Sequence, residues 1–182
     1  MDTTQNIQSG VSCFNDADAV IGGTATGGTG DLTFSLNDPN FTNPSSVLEF
    51  GDLGAGNYTV YVQDENGCGI NSSLINVNNP GAINVYVTSS SNASCSDSED
   101  GVIIVTTVGG IPGSTGFQYS VDQVTYTTGT SNNGSVLNVG PGVYTVYVED
   151  VNGCSGQSAN PVTISSPMAL ELTLASEGIT CT

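Results

Sequence analysis

Apolar and polar residues alternate along several short segments of the chain. In the ranges 58–63 and 83–88, one set of alternate positions holds Val, Ile or Tyr, and the other is mostly polar. This period of two residues predicts β-strands with one buried face. Gly, Asn, Asp and Pro interrupt the strands at short intervals, and no segment has the period of an amphipathic helix. We therefore predict an all-β fold.

One strand-and-turn segment occurs twice in the chain. YTVYVQDENGC spans 58–68 and YTVYVEDVNGC spans 144–154, and nine of the eleven positions are identical. Other segments match at a similar spacing, such as Gly27-Gly28 with Gly109-Gly110. A repeat of this length corresponds to a small domain rather than to a solenoid unit. We therefore predict tandem Ig-like β-sandwich repeats.

The repeat defines the domain organisation that we predict. The units are Ig-like repeat 1 at 1–80, Ig-like repeat 2 at 81–167, and the first strand of a truncated third repeat at 168–182. The strands expected in the first unit lie near 5–11, 18–26, 31–36, 46–50, 57–63 and 72–77. Those expected in the second unit lie near 83–90 (A), 101–107 (B), 116–121 (C), 124–128 (D), 135–139 (E), 143–149 (F) and 158–165 (G).

Two features of the repeated segment predict local structure. Tyr58 and Tyr144 follow a glycine-containing turn at the spacing of a tyrosine corner. In that motif, a Tyr at the start of strand F hydrogen-bonds back across the E–F turn. The Asn-Gly pairs that end at Gly67 and Gly153 are suited to positive φ and predict a tight turn after strand F.

The composition excludes several classes of function. The chain has no Lys, Arg or His, and its 17 Asp and Glu residues give a net charge of −17. Histidine-dependent catalytic units and lysine Schiff bases are therefore absent, and no carboxylate pair is distinct from turn-forming acids, so we expect no enzyme. Nothing in the chain can neutralise phosphates, so we expect neither nucleic acid nor anionic membranes as partners.

Cysteine use and apolar content indicate the compartment. Five cysteines stand at repeating positions in a chain rich in Thr, Ser, Asn and Gly, which is typical of an oxidising environment. The first ten residues, MDTTQNIQSG, contain neither the basic nor the apolar part of a signal peptide. Apolar runs such as 102–105 are too short to span a bilayer, so we expect no membrane insertion. The predicted location is extracellular, at a cell surface.

The motifs together resemble a known family. A Cys, an acidic loop, a strand ending in Gly-Gly, an aromatic-Ser pair and Leu-x-x-Gly-x-Tyr-x-Val-x-Val-x-Asp-x-Asn-Gly-Cys follow one another in the first unit. This order resembles the SprB-type repeat of surface adhesins from gliding bacteria, within the PKD-like and Ig-like repeats of such surfaces. The resemblance implies a long, secreted, multi-repeat filament on the outer surface and a role in adhesion and gliding motility.

Three functions follow as hypotheses. The first is an extracellular module that acts as a stiff structural spacer, with neighbouring repeats of the same long chain as partners. The second is a subunit of an extracellular fibre or matrix that assembles by strand exchange through the segment 170–175. The third is a carbohydrate-binding module that uses the outward Tyr61, Tyr86 and Tyr147 on an external glycan or surface.

The cysteines allow three regular pairings. Cys13, Cys95 and Cys181 precede strand B, whereas Cys68 and Cys154 follow strand F. The first two schemes pair cysteines within a unit (Cys13–Cys68 and Cys95–Cys154) or across the nearest link (Cys68–Cys95 and Cys154–Cys181). The third is Cys13–Cys154, between the A–B loop of one unit and the F–G turn of the next. A disulfide needs Cα atoms within about 7 Å, and these loops lie at opposite ends of one sandwich, so end-to-end stacking favours Cys13–Cys154. Pairing within units remains open.

Acidic loops suggest a further hypothesis. Stacking of the units would bring the A–B loop of one close to the F–G turn of the next. Hard oxygen ligands at such a junction suit Ca²⁺, although solvated acidic turns explain the same residues. The candidate ligands are Asp16, Asp18, Asp97, Glu99, Asp100 and Asp150.

Overall fold

The computed structural model describes residues 2–129 and 134–174, and within them every regular element is a β-strand. The strands up to residue 77 are β1 (Asp2–Ser9), β2 (Ala17–Thr26), β3 (Thr33–Leu36), β4 (Glu49–Gly54), β5 (Gly56–Tyr58), β6 (Val60–Gln63), β7 (Gly69–Asn71) and β8 (Ile75–Val77). Those that follow are β9 (Asn84–Ser91), β10 (Gly101–Val108), β11 (Gln118–Ser120), β12 (Thr127–Thr128), β13 (Gly134–Val139), β14 (Gly142–Tyr144), β15 (Tyr147–Glu149), β16 (Ser155–Gln157) and β17 (Val162–Ile164). The prediction of an all-β fold is confirmed.

The two groups of strands pair in the same order. In the first group the sheets are β1-β2-β4, β3-β6-β7 and β5-β8. In the second group they are β9-β10-β13, β12-β11-β15-β16 and β14-β17. The named strands pair antiparallel, and an isolated parallel bridge joins Val85 to Ser158. Each group therefore has an A-B-E sheet and a C-F-G sheet, which is the arrangement of an Ig-like sandwich.

Buried apolar side chains form two separate clusters, one within each group of strands. Strand β10 shows how the pattern produces this, because its residues alternate between buried and more exposed positions along most of its length. Full burial of one aliphatic side chain stabilises the fold by roughly 1.5–3 kcal/mol. The first cluster is Val11, Ala19, Ile21, Phe34, Leu48, Val60, Val62, Ile75 and Val77. The second is Val85, Ala93, Ile103, Val105, Phe117, Tyr119, Leu137, Val139, Val146, Val148 and Ile164.

Strand F is interrupted in both groups, whereas the sequence predicted one continuous strand. In the first group, Ser72 N donates to Val60 O at 2.8 Å, but Val60 N donates to the side-chain oxygen of Ser72 at 3.0 Å. Ser158 and Val146 make the same two bonds in the second group. Because a hydroxyl replaces a strand carbonyl as acceptor, the ladder breaks there into β5 and β6 and into β14 and β15.

Other strand predictions also need correction. The predicted strand 46–50 lies instead at β4, three residues later at its start. The predicted strand D contains β12, which pairs with strand C (β11) and therefore extends the C-F-G sheet. The domain boundaries at 80 and 167 stay a prediction.

The strand predicted for a third repeat is not formed in the part that the structure describes, and the third repeat itself stays a prediction. Residues 168–174 contain no strand, and Leu170, Leu172 and Leu174 are exposed. A segment with this alternation can form a hydrogen-bonded ladder only when a neighbouring strand pairs with it. No strand within 2–129 or 134–174 pairs with these residues. Residues 175–182, with Cys181, lie outside the described residues.

Both predicted tyrosine corners are present. Tyr58 donates its hydroxyl proton to Gly54 O at 2.8 Å, and Tyr144 donates to Gly140 O at 2.9 Å. Each bond closes the turn between strands E and F. A neutral hydrogen bond of this kind stabilises a fold by roughly 1 kcal/mol. The corner therefore fixes the direction in which strand F leaves the turn and approaches the opposite end of the sandwich.

A disulfide-linked junction as the candidate functional site

The F–G turn of the second group presents Cys154 in a fixed position. Gly153 has a φ of 81°, and its N–H donates to Asp150 O at 3.1 Å. Asp150 N in turn donates to Cys154 O at 3.0 Å, which closes the hairpin. Only the glycine of the Asn-Gly pair has positive φ, here and at Gly67, so the turn is a type I turn followed by a left-handed glycine.

A buried carboxylate holds this turn from inside. Oδ1 of Asp150 accepts hydrogen bonds from Asn152 N and Cys154 N, both at 2.9 Å. Its Oδ2 accepts from Ile111 N, also at 2.9 Å, in the loop after strand B. The side chain is only 8% exposed. Asp150 therefore acts as an acceptor for three backbone N–H groups, and not as a free ligand.

Asp64 repeats this arrangement in the first group. Its Oδ1 accepts from Asn66 N at 3.0 Å and from Cys68 N at 2.9 Å, and its Oδ2 accepts from Thr29 N at 3.0 Å. The sequence predicted the turn but not this role. The signal was the Asp that stands at the same place in both copies of the repeated segment.

The A–B loop of the first group presents Cys13. Ser12 N donates to Asp18 Oδ1 at 3.0 Å, and Asp16 N donates to Cys13 O at 3.1 Å. Asn15, at a φ of 65°, donates its N–H to Asn79 Oδ1 at 2.9 Å, and Asn79 Nδ2 donates back to Asn15 Oδ1 at 3.0 Å. This reciprocal pair ties the loop to the segment that leads out of β8.

Cys13 and Cys154 form a disulfide, with their Cα atoms 5.5 Å apart and a sequence separation of 141 residues. Asn152 Nδ2 donates to Ser12 O at 3.1 Å across the same contact. The Cys154 sulfur, which carries no proton in a disulfide, lies 3.3 Å from that carbonyl oxygen. The A–B loop of one group of strands is thus covalently joined to the F–G turn of the other, as end-to-end stacking favoured.

The other pairings are not formed. Cys68 and Cys95 are exposed free thiols, so neither Cys13–Cys68 with Cys95–Cys154 nor Cys68–Cys95 is present. Pairing within a group would also need the A–B loop and the F–G turn to meet, although an Ig-like topology places them at opposite ends of one sandwich. A cavity of about 370 Å³ lies beside the disulfide, lined in part by Phe14, Pro80 and Ile83.

The structure does not bring the predicted calcium ligands together. Within the described ranges, no three His, Cys, Asp or Glu side chains are grouped so that they could hold a metal ion. Asp16, Asp97 and Glu99 are exposed. The carboxylates of Asp18, Asp100 and Asp150 accept hydrogen bonds from their own loops instead. The interpretation as acidic turns fits these contacts, and the calcium hypothesis finds no support in them.

The loop carboxylates have lowered pKa values. Hydrogen bonds from Ser94 and Ser98 lower the pKa of Asp100 from 3.8 to about 2. Backbone hydrogen bonds from Thr125 and Val124 lower the pKa of Asp122 to about 2 as well. Both carboxylates are therefore charged in the folded chain at any pH above about 3, where their hydrogen bonds hold the loops.

These pKa values predict a loss of stability in acid. A carboxylate with a lower pKa in the folded chain stabilises the fold above its unfolded pKa of 3.8, and this contribution is lost as the pH falls to about 2. We expect the urea midpoint of unfolding to be nearly constant from about pH 7 to 5 and to fall steeply below about pH 4. Asp122→Asn is expected to flatten this fall, whereas Asp31→Asn, on an exposed loop, serves as the control. Equal curves for both variants would contradict the assignment.

An aromatic groove lies on the C-F-G sheet of the second group. It has a volume of about 490 Å³ and is lined in part by Tyr126, Tyr147, Glu149 and Gln157. Partial burial raises the pKa of Tyr126, and the neighbouring Glu149 carboxylate raises it further. The first group has a smaller groove of about 290 Å³ at the corresponding place, with Tyr61 in its wall. The third predicted aromatic residue, Tyr86, lies on β9 outside both grooves.

Comparisons with known proteins add little to this geometry. No family model and no curated protein matches the chain. Among solved structures, domains 4 and 5 of the S-layer protein SbsC match with 13% identity and a TM-score of 0.40, over 93% of this chain and 98% of that one. A C-terminal fragment of intimin, in complex with the intimin-binding domain of the translocated intimin receptor, matches with 8% identity and a TM-score of 0.39, over 91% and 64%.

A third structure is SGBP-B from the mixed-linkage glucan utilization locus of Bacteroides ovatus, in complex with a mixed-linkage heptasaccharide. It matches with 14% identity and a TM-score of 0.27, over 91% of this chain and 48% of that one. Strand pairing, and not these similarities, defines the two groups of strands as Ig-like. In the described part of the chain, no helix has the length and apolar character needed to cross a bilayer.

Proposed function

We propose that the chain is an extracellular structural module that acts as a stiff spacer in a large cell-surface adhesin or filament. The observation that carries this proposal is the Cys13–Cys154 disulfide, which joins loops next to two separate hydrophobic cores. Without a covalent link, relative motion of two neighbouring sandwiches is the default expectation. A covalent link with the Asn152–Ser12 hydrogen bond beside it restricts that motion.

Composition supports an extracellular location. A disulfide persists in oxidising surroundings, and a net charge of −17 with no cation keeps a densely displayed surface protein soluble. The absence of His, Lys and Arg makes a binding or mechanical role a better explanation than catalysis. We extend the proposal to SprB-type repeats and gliding motility on the sequence resemblance alone.

The stiffness can be measured with the two native free thiols. In a Cys181→Ser background, donor and acceptor dyes on Cys68 and Cys95 report the distance between the two groups of strands. We expect a single narrow distribution of transfer efficiency in the disulfide-linked chain. Cys13→Ser with Cys154→Ser is expected to broaden that distribution, because the covalent restraint is lost.

A matched control separates stiffness from folding. The double variant should keep the far-ultraviolet circular dichroism of the parent, since each core is built from residues of its own group. Equal widths of the two distance distributions, in folded proteins, would show that the disulfide does not stiffen the chain. The spacer hypothesis would then lose the observation that carries it.

A carbohydrate-binding module is the second candidate, favoured by the aromatic groove. The rings of Tyr126 and Tyr147 offer apolar faces to sugar C–H groups, and Glu149 and Gln157 offer acceptors and donors to hydroxyls. Calorimetry against a panel of soluble oligosaccharides tests it. We expect Tyr147→Ala to weaken binding by about tenfold or more, equivalent to about 1.4 kcal/mol. Tyr86→Ala is the control, and no heat with any glycan would remove this candidate.

A further inference from the structure

Each group of strands has both kinds of loop that meet in the junction, an A–B loop and an F–G turn, but only one of the two is bonded in each group. In the Cys13–Cys154 bond, the first group contributes its A–B loop and the second contributes its F–G turn. The unused halves are the F–G turn with Cys68 and the A–B loop with Cys95, and both thiols are exposed. Within the described residues, the two unused loops are therefore of the same two types that meet in the Cys13–Cys154 junction.

The unused F–G turn matches the bonded one. Asp64 N donates to Cys68 O at 2.9 Å and Cys68 N donates to Asp64 Oδ1 at 2.9 Å, as Asp150 and Cys154 do at 3.0 and 2.9 Å. Asn66 stands where Asn152 donates across the junction. Within 2–129 and 134–174 the Asn66 side chain has no hydrogen-bond acceptor, which leaves it available for the same contact.

The unused A–B loop matches its bonded counterpart too. Ser94 N donates to Asp100 Oδ1 at 2.9 Å, as Ser12 N donates to Asp18 Oδ1 at 3.0 Å. Ser98 N donates to Cys95 O at 3.4 Å, in the place of the bond from Asp16 N to Cys13 O. The carbonyl of Ser94 therefore stands where the bonded loop accepts the hydrogen bond from Asn152.

We propose that Cys68 of one copy forms a disulfide with Cys95 of a second copy, so that the chain assembles head to tail into a covalent filament. The independent observation is the chain's own disulfide, which shows that these two loop types meet at bonding distance when units stack. A contact between two different surfaces that does not close on itself gives open linear assemblies. The inference rests on the spacer proposal, but the two are tested by different experiments, because a single chain can be stiff without polymerising.

The reaction is a two-electron oxidation with a disulfide as oxidant. The thiolate of Cys68 attacks one sulfur of oxidised glutathione, breaks its S–S bond and releases one glutathione thiolate. The thiolate of Cys95 from the second copy then attacks the protein sulfur of the mixed disulfide and releases the second glutathione. Two protein thiols are oxidised and one glutathione disulfide is reduced to two thiols, with the two protons taken up by the leaving thiolates.

Charge governs the rate of this assembly. Each copy carries a net charge of −17, so two copies repel each other until salt screens their fields. We expect linking to be slow at low ionic strength and faster as salt is added. Within one chain the corresponding loops are tethered, so the Cys13–Cys154 bond forms at a high effective concentration and without an encounter between two molecules.

The experiment uses two complementary variants of the full chain, both with Cys181→Ser. One also carries Cys68→Ser and keeps Cys95, and the other carries Cys95→Ser and keeps Cys68. Each is incubated alone and mixed with the other in a glutathione redox buffer with added salt, and the products are read on non-reducing denaturing gels. We expect dimers in the mixture and few in either variant alone, and peptide mass spectrometry should find Cys68 joined to Cys95.

The parent with Cys181→Ser is expected to give a ladder of longer species. Dimers that form as readily in either variant alone would show unspecific oxidation of exposed thiols and overturn the proposal. Monomers in every mixture would overturn it as well. Native oligomers that persist when both thiols are replaced would show that assembly is non-covalent, as the strand-exchange hypothesis for the segment 170–175 expects, and would also count against the proposal.

Discussion

A single molecule stretched between its two ends is expected to be far shorter in the oxidised state than after reduction. The disulfide bridges 141 residues of sequence with Cα atoms 5.5 Å apart, so an applied force passes from Cys13 directly to Cys154. At about 3.4 Å per extended residue, the bypassed segment represents roughly 480 Å of contour length. This length should be released only when the disulfide is cleaved.

The structure shows which strands a force can still unfold while the Cys13–Cys154 disulfide is intact. Strand β1 precedes Cys13, and β16 and β17 follow Cys154, so these three lie on the path of the force. The remaining strands lie inside the bridged segment. They include β10, whose residues Ile103 and Val105 are at the centre of the second core. Most of both cores is therefore shielded from tension while the disulfide is intact.

The measurement is force spectroscopy with handles attached at the chain ends, with and without dithiothreitol. We expect the extra contour length only with the reductant in the parent, and in both conditions for Cys13→Ser with Cys154→Ser. The Cys181→Ser background removes competing bonds. Full extension of the oxidised parent at forces that leave covalent bonds intact would show that Cys13 and Cys154 are not joined in solution.

Local pattern made the fold predictable. Period-two segments such as 58–63 place alternate side chains on one face, and the duplicated segment sets the same strand order twice. The tyrosine corners followed from the spacing between a turn and an aromatic residue, which one segment of chain determines. The disulfide was favoured by a geometric argument about which ends of two sandwiches meet, and the sequence alone left pairing within units open.

What the sequence could not predict depends on contacts between distant segments. Strand F breaks because the side-chain oxygens of Ser72 and Ser158 accept hydrogen bonds from strand F backbone N–H groups. A serine in the sequence gives no sign of the direction in which its hydroxyl points. The calcium hypothesis finds no support in the described residues for a different reason, which is local to each loop. Acidic residues such as Asp18 and Asp100 have their carboxylates engaged by backbone N–H groups of their own loops, which residue counts do not reveal.

Asp150→Ala is expected to cause the largest loss of stability among substitutions near the junction. The change removes the acceptor of three backbone N–H groups, those of Ile111, Asn152 and Cys154. An unsatisfied buried donor costs about 1–3 kcal/mol, and because water reaches part of the exposed turn we expect a total on the order of 3 kcal/mol. The loss should be local to the second group of strands and should leave the first core folded.

Hydrogen exchange followed by mass spectrometry resolves this effect by segment. Peptides that contain Ile111 and Cys154 should lose protection in Asp150→Ala, whereas peptides from β2 should not. Asp150→Asn is the informative intermediate, because its oxygen can still accept from the turn while its amide nitrogen faces the Ile111 N–H as a second donor. We expect it to lose protection mainly at Ile111.

The same variant connects the turn to the function of the junction. Once the turn is loosened, Cys154 no longer stands in a fixed place opposite Cys13, so reoxidation of the reduced chain should slow while the thiols themselves are unchanged. Asp31→Ala, on an exposed loop, should be within about 0.5 kcal/mol of the parent and reoxidise at its rate. If Asp150→Ala reoxidises as fast as Asp31→Ala, the carboxylate stabilises the turn without preparing it for the disulfide. The rigidity of the junction would then come from the covalent bond alone.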